Sequence, residues 1–307
     1  MEVIDLTDYE ESRFKTAIAL GNFDGIHLGH QALIKNTIVQ AKEKNLKPAL
    51  LLFNNHTKTL LKGSNNKKFC IITSNGQKLK IFEELGIETV YAIDFDEKIM
   101  RLSADDFIDN IIIRKLNAKL ITIGFDYRFG YKAQGDSNYL KKMGEQKGFH
   151  VNIIDPIYMN GQIISSTAIR NLIKAGDITK ANSYLGRYYA VLGTVVRGKS
   201  RGSKLGYPTA NISLSYNYVI PKTGVYETIT KLEGKEYKSL TNIGYNPTFN
   251  EYELKIENHI LDFNKDIYGK DIEIKFVDFI RDDIKFKTVD ELVKQIEKDM
   301  EYIKKHQ

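Results

Sequence analysis

The 307-residue sequence has no tryptophan, five prolines and one cysteine. A single cysteine, Cys70, cannot form a disulfide within the chain, which fits a reducing compartment. Because Cys70 lies in an apolar run, we expect a buried, unreactive thiol. A membrane-spanning helix needs about 18 consecutive apolar residues, and no apolar run in the sequence approaches that length. Residues 1–15 lack a signal-peptide pattern. We therefore expect a cytoplasmic protein outside the membrane.

The charge balance is only mildly basic. Lys and Arg number 45 against 39 Asp and Glu, which gives a net charge of +6 and a pI near 9.0. A basic surplus can serve nucleic acids, acidic lipids or phosphorylated small molecules. Here the charges are scattered, so we expect small-molecule partners, no nucleic acid, and a monomer or weak homo-oligomer. The length allows two ordinary domains.

The first half of the chain alternates apolar runs with helical patterns. The runs span residues 16–20, 48–53, 88–93, 119–123 and 150–154. This alternation predicts a mostly parallel sheet covered on both faces, which binds ligands at the carboxyl ends of its strands. We predict an α/β Rossmann-like nucleotide-binding domain over residues 1–186.

The pattern changes after Gly186 to short alternating runs separated by turn signals. Such runs are typical of an antiparallel barrel or sandwich. One amphipathic helix, from Val289 to Lys305, closes the chain, with Thr288 and Asp290 at its start. We predict a small antiparallel β-barrel or sandwich domain with a C-terminal helix over residues 187–307.

A first candidate site follows the first strand directly, in the segment from Gly21 to His30, GNFDGIHLGH. His27 and His30 share one face at a helix start, where unpaired N–H groups and partial positive charge attract phosphate. Gly29 leaves room for a close ligand. Positioning and electrostatics there would stabilise the α-phosphate of ATP while pyrophosphate leaves. The structural alternative is a turn with two surface histidines.

Two more segments follow predicted strands at the same sheet edge. GFDYRFG spans residues 124–130, and ISSTAIR spans residues 164–170. The hydroxyls of Ser166 and Thr167, with Arg170 one turn later, suit triphosphate oxygens. Taken alone, the hydroxyls are equally well explained as a helix cap.

A second candidate site begins at Gly198 and ends at Asn211. Its glycines and basic groups suit polyphosphate, and Thr209 and Asn211 offer neutral oxygens to magnesium. It is not a Walker P-loop, and a basic surface loop is the structural alternative. Further on, Glu257 and His259 share one face of a strand, for which a solvated pair is the default interpretation.

These motifs together resemble a known family. GNFDGIHLGH, GFDYRFG and ISSTAIR, followed by LGYPTAN, GYNPTF, ENH and IYG, are similar in order and spacing to bacterial bifunctional riboflavin kinase/FMN adenylyltransferases, also called FAD synthetases. The resemblance covers about residues 15 to 300. It implies a nucleotidyltransferase domain and a riboflavin-kinase-like barrel. It also implies that ATP and Mg²⁺ are used twice, to make FMN from riboflavin and FAD from FMN.

The resemblance also implies roles for individual residues. His27, His30 and Arg170 would act on the ATP phosphates, and Glu257 would be the base facing the riboflavin 5′-hydroxyl. Thr209 and Asn211 would hold magnesium. The residues implied at ATP or its phosphates are Gly21, Asn22, Phe23, Asp24, Gly29, Ser166, Thr167, Gly198, Lys204, Gly206 and Pro208. The residues implied at the flavin are His56, Asp126, Phe129 and Arg281, although a structural surface arginine is an equal alternative for Arg281.

The sequence departs from the family pattern in one loop. Relatives have Phe-x-Pro-His-Pro where this chain has Phe53-Asn54-Asn55-His56-Thr57. Because proline stiffens a loop, we expect this one to be more mobile. Two alternatives therefore stay open: a relative with one working half, and a non-catalytic flavin-binding regulator. Intact Glu257, Thr209 and Asn211 argue against the regulator.

Overall fold

The computed structural model describes residues 1–7, 9–55, 69–198, 206–245 and 254–305. The chain divides into two compact units, Met1–Ser166 and Thr167–Gln307. The first unit is built on a parallel sheet and the second on a closed antiparallel barrel. The predicted fold class is thus confirmed, whereas the domain boundary between residues 186 and 187 stays a prediction.

Six parallel strands form the sheet of the first unit, in the order β1-β4-β3-β2-β5-β8. They are β1 (Glu2–Asp5), β2 (Thr16–Leu20), β3 (Lys47–Phe53), β4 (Thr89–Ile93), β5 (Ala118–Gly124) and β8 (His150–Ile154). Two small hairpins pair β6 (Arg128–Phe129) with β7 (Gly135–Asp136), and β9 (Tyr158–Met159) with β10 (Gln162–Ile163). The strand order reverses beside β2, and ligands bind at such a switch point.

Helices cover both faces of this sheet. They are α1 (Leu28–Glu43), α2 (Asn75–Leu85), α3 (Glu97–Arg101), α4 (Ala104–Asp106), which continues as a π-helix over Phe107–Lys115, and α5 (Ser137–Lys147). A 3-10 turn spans Tyr131–Ala133. Successive strand residues point to opposite faces. Ile18 and Leu20 therefore enter one buried cluster, and Ala19 enters another.

The described residues of the second unit form a six-stranded closed barrel and three helices. Its helices are α6 (Ser166–Ala175), which begins at the last residue of the first unit, α7 (Ile178–Leu185) and α8 (Val289–Lys305). Its strands are β11 (Tyr189–Val196), β12 (Ala210–Leu214), β13 (Gly224–Leu232), β14 (Lys235–Tyr245), β15 (Leu254–Ile260) and β16 (Asp271–Arg281). The barrel closes in the order β11-β12-β15-β14-β13-β16.

A buried polar network inside the barrel fixes the orientation of β15. The Asn258 side chain donates to Thr241 Oγ1 at 2.9 Å and accepts from Thr230 Oγ1 at 3.0 Å. All three residues are at most 1% exposed. Since Asn258 points inward, its neighbours Glu257 and His259 must point outward.

Two strands and one helix differ from the sequence interpretation. The acidic start of the chain contains β1, which pairs with β4. Residues 210–211, which we interpreted as the tail of a phosphate loop, open strand β12. The helical segment that follows Ser103 is mostly π-helical, a geometry that the spacing of its apolar residues does not indicate.

Candidate active sites

The two predicted catalytic histidines meet at the start of α1. His27 is the N-cap residue, and its Nδ1 accepts from the His30 backbone N–H at 3.4 Å. The two rings stack with centroids 3.8 Å apart and planes 19° apart. A methyl group at Gly29 would lie only 3.2 Å from the His27 ring, so glycine keeps this arrangement uncrowded. The imidazoles therefore stand together at the positive end of the helix, after β2.

The turn before the helix depends on unusual backbone geometry. Phe23 and Ile26 both have positive φ angles, 47° and 38°, and both side chains are fully buried. Such angles cost free energy for residues with a side chain, so packing must hold them. The Phe23 ring meets the His30 ring edge-on at 5.4 Å. The turn is thus anchored in the core directly beneath the histidines.

Asp24 anchors the same turn from its other side. Its side chain is 1% exposed and accepts from the backbone N–H groups of Ile72 and Thr73, at 3.0 and 3.1 Å. The Asp24 carbonyl in turn accepts from Ser166 Oγ at 2.8 Å. The observed contacts of Asp24 are therefore structural, and they bring Ser166 to the first motif. Thr167 and Arg170 follow on α6, and the phosphate roles of Asp24, Thr167 and Arg170 stay predictions.

The predicted flavin residues of the first unit occupy different environments. Asp126 is exposed after β5, whereas Phe129 is 7% exposed and packs in the core. Asn55, which replaces a family proline, bonds to both backbone groups of Phe95, at 2.9 and 2.7 Å. Asn54 donates to the Asp94 carboxylate at 2.8 Å, so side chains tie the start of this segment to the end of β4. His56 lies outside the described residues.

On the barrel, Glu257 stands between two asparagines. In the strand register Asn211 on β12 lies directly opposite Glu257 on β15, and so does Asn242 on β14. Side chains of directly opposed antiparallel residues share a face, with Cβ atoms about 4.5–5.5 Å apart. Glu257 points outward, so a row of amide, carboxylate and amide crosses the outer face of the barrel.

The glycine-rich segment approaches this row at one end. A Cβ at Gly198 would collide with the Asn211 side-chain amide, so only glycine allows this approach. Gly206 has a φ of +84°, a second position that favours glycine. The His259 Nδ1–H donates to the Pro208 carbonyl at 2.8 Å and thereby links β15 to the segment. Lys204 lies outside the described residues.

Arg281, a predicted flavin contact, is engaged elsewhere in the structure. Its Nε is 3.0 Å from both Asp299 carboxylate oxygens, and its Nη2 is 2.7 Å from one of them. The Asp299 side chain is 2% exposed and the Arg281 side chain 17%. This contact ties α8 to β16. The flavin role of Arg281 stays a prediction.

Two polar residues on or near the outer face of β14 were not singled out from the sequence. One is Asn242, whose register is described above. The other is Asp283, whose carboxylate lies 3.3 Å from the place that a Cβ of Gly244 would occupy. Burial raises the pKa of Asp283 above its usual range, although Arg281 opposes this. In the sequence, only the alternation of apolar and polar residues around GYNPTF indicated a strand at this outer face of the barrel.

Neither site contains a conventional metal cluster within the residues that the structure describes. In the part of the chain that the structure describes, no group of three or more His, Cys, Asp or Glu is arranged to hold a metal ion. The donors that fit Mg²⁺ are the neutral oxygens of Thr209 and Asn211. Among the described residues, no helix is both long and apolar enough to span a membrane.

Comparison with known families decides the assignment. Residues 9–168 match the FAD synthetase family model, and residues 185–307 match the riboflavin kinase model. The chain belongs to the bifunctional riboflavin kinase/FMN adenylyltransferase family. The family predicted from the motifs is therefore confirmed.

Several relatives extend over nearly the whole chain. The bifunctional riboflavin kinase/FMN adenylyltransferase of Listeria monocytogenes is 38% identical over 96% of this chain and 93% of its own length. That of Bacillus subtilis is 36% identical over 94% of this chain and 92% of its own. A crystal structure described as a macrolide-efflux protein from Streptococcus pneumoniae has a TM-score of 0.91 and 33% identity, and the alignment covers 99% of both chains. The fold and the family therefore extend over both units.

Proposed function

We propose that this chain phosphorylates riboflavin to FMN and then adenylylates FMN to FAD, with ATP and Mg²⁺ in both steps. The observation that carries the proposal is the presence of two separate sites, each within a segment that matches its own family model. One site is the histidine pair at the mouth of α1, and the other is the row around Glu257. Each fits one of the two reactions.

For the adenylyl step, FMN and ATP give FAD and pyrophosphate. A phosphate oxygen of FMN forms a bond to the α-phosphorus, and the bond from that phosphorus to the bridging oxygen of pyrophosphate breaks. His27 and His30 would meet the negative charge that builds on the α-phosphate, at a helix end that favours anions. No covalent intermediate is needed, because positioning and charge stabilisation supply the catalysis.

For the kinase step, riboflavin and ATP give FMN and ADP. The 5′-hydroxyl oxygen of riboflavin forms a bond to the γ-phosphorus, and the bond from that phosphorus to the oxygen that bridges it to ADP breaks. The hydroxyl proton passes to the Glu257 carboxylate. Thr209 and Asn211 would hold Mg²⁺, which neutralises phosphate charge when bound. The close approach of Gly198 to the Asn211 side chain supports this assignment, because it places the start of the glycine-rich segment beside the row around Glu257.

The sequence has one cysteine, Cys70, which supports a cytoplasmic location, and we propose a monomer or weak homo-oligomer.

The experiment incubates purified protein with riboflavin, ATP and Mg²⁺ and separates the flavins by chromatography. We expect FMN first and then FAD, with ADP and pyrophosphate as co-products. FMN without FAD would limit the chain to the kinase step. Tight flavin binding without any product would instead favour a flavin-binding regulator.

A further inference from the structure

The Asn242 side chain has one buried polar atom that is unsatisfied among the described residues. Its Oδ1 is buried and has no hydrogen-bond partner among the described residues. A buried acceptor without a donor costs about 1–3 kcal/mol, so each native instance needs an explanation. One explanation is that a bound molecule supplies the donor.

The strand register places this acceptor beside the predicted base. Asn242 is directly opposite Glu257, on the side away from Asn211. Its neighbours Thr241 and Ile243 are fully buried inside the barrel, so Asn242 shares the outer face with Glu257. Across β12, β15 and β14, the outer face therefore carries the predicted metal ligand Asn211, the predicted base Glu257 and the unsatisfied acceptor of Asn242.

Asn242 lies two strands away from Asn211 and is poorly placed to share one magnesium ion with it. The two residues lie on strands separated by β15, and alternate strands are about 9–10 Å apart. Two oxygens on one Mg²⁺ lie within about 4 Å of each other, because each bond is about 2.0–2.1 Å long. The predicted metal ligand and Asn242 thus lie on opposite sides of Glu257, and we assign the phosphoryl acceptor to the Asn242 side.

We propose that Asn242 is a substrate-positioning residue whose Oδ1 accepts a hydrogen bond from a hydroxyl group of the alcohol that is phosphorylated. The inference rests on the proposed kinase function and names the group that orients its acceptor. An amide oxygen suits a polyhydroxyl chain, since it accepts from a neutral O–H without competing with Glu257 for the proton.

The test compares Asn242→Val with the wild type and with Ser213→Val, a matched change at an exposed position of β12. Valine keeps a strand-forming side chain and removes the buried acceptor. We expect KM for riboflavin to rise about 3- to 10-fold, as for the loss of one hydrogen bond. KM for ATP and the Mg²⁺ requirement should not change. The melting temperature should stay the same or rise, because an unsatisfied group has gone.

Lumiflavin, which has the isoalloxazine ring without the ribityl hydroxyls, gives the second measurement. Its inhibition constant against riboflavin phosphorylation should be the same in Asn242→Val and wild type. An equal weakening of lumiflavin would point to a structural effect and overturn the proposal, as would a raised Mg²⁺ requirement or an unchanged riboflavin KM. A wild-type protein that makes no FMN would instead refute the kinase function.

Discussion

At the scale of single residues, the histidine pair gives the clearest prediction for the adenylyl step. His30 stacks on His27 at 3.8 Å and rests against Phe23, so its ring is held in place before any substrate arrives. His30→Ala should slow FAD formation from FMN by on the order of 10²-fold or more, because a positioned charge stabiliser is lost. Steady-state assays of pyrophosphate release measure this effect.

The same variant should leave FMN formation from riboflavin within about twofold of wild type, because Glu257 and its neighbours lie on a separate unit. His150→Ala, at an exposed position on β8, is the matched histidine control and should affect neither step. An equal loss in both steps would contradict the assignment of His30 to the adenylyl half.

Glu257 gives the corresponding prediction for the kinase step. Glu257→Gln keeps the shape of the side chain and its position in the row, but removes the base. FMN formation should fall about 10²- to 10⁴-fold with little change in KM, because a positioned base usually accelerates the reaction by that factor. Initial-rate measurements with riboflavin, ATP and Mg²⁺ test it. Glu236→Gln, an exposed glutamate paired with Lys275, is the control, and a comparable loss there would argue against a specific role for Glu257.

At the scale of elements, the link between α8 and β16 has a testable energetic consequence. Asp299→Ala would leave Arg281 mostly buried without its carboxylate, and Gln295 would lose an acceptor 2.8 Å away. Removing one partner of a buried pair costs about 3–5 kcal/mol. Urea denaturation, followed through the loss of kinase activity, should therefore shift to lower denaturant.

Two further variants separate the buried pair from ordinary surface charges. Glu301→Ala removes an exposed pair with Lys305 at 3.8 Å and should cost less than about 1 kcal/mol. The double variant Arg281→Leu with Asp299→Leu should recover most of the stability, because apolar side chains carry no unpaired charge. A large loss of stability in the double variant would mean that the ion pair itself stabilises the fold. The cost of Asp299→Ala would then not come mainly from leaving Arg281 unpaired.

Elements with a strong apolar periodicity were predicted well from the sequence, whereas short or interrupted strands were predicted poorly. The amphipathic pattern located α8 from Val289 to Lys305, and the structure gives the same bounds. By contrast, β1 is short and charged, so its pairing with β4 left no apolar run to detect. Strand β12 follows a proline and a glycine-rich segment, and these turn signals outweighed its alternation.

A similar contrast, between residues in clear motifs and residues without one, explains which candidate site residues the sequence indicated. The histidines and Glu257 belong to motifs in which several neighbouring residues point to one chemistry. Asn242 sits in a plain alternating strand, and only its register opposite Glu257 and its unsatisfied oxygen distinguish it. Such long-range pairing depends on the barrel topology, which local sequence patterns do not contain.

At the scale of the whole molecule, two sites on two units predict complementation between variants. His30→Ala supplied with riboflavin should stop at FMN, and Glu257→Gln should leave riboflavin unchanged but convert added FMN to FAD. An equimolar mixture of the two should make FAD from riboflavin, because neither step borrows a catalytic group from the other and FMN diffuses between molecules. FAD should appear after a lag in which FMN accumulates, and diluting both proteins should lengthen that lag. A mixture that makes FMN but no FAD, although Glu257→Gln still uses added FMN, would mean that FMN is not released from the molecule that makes it.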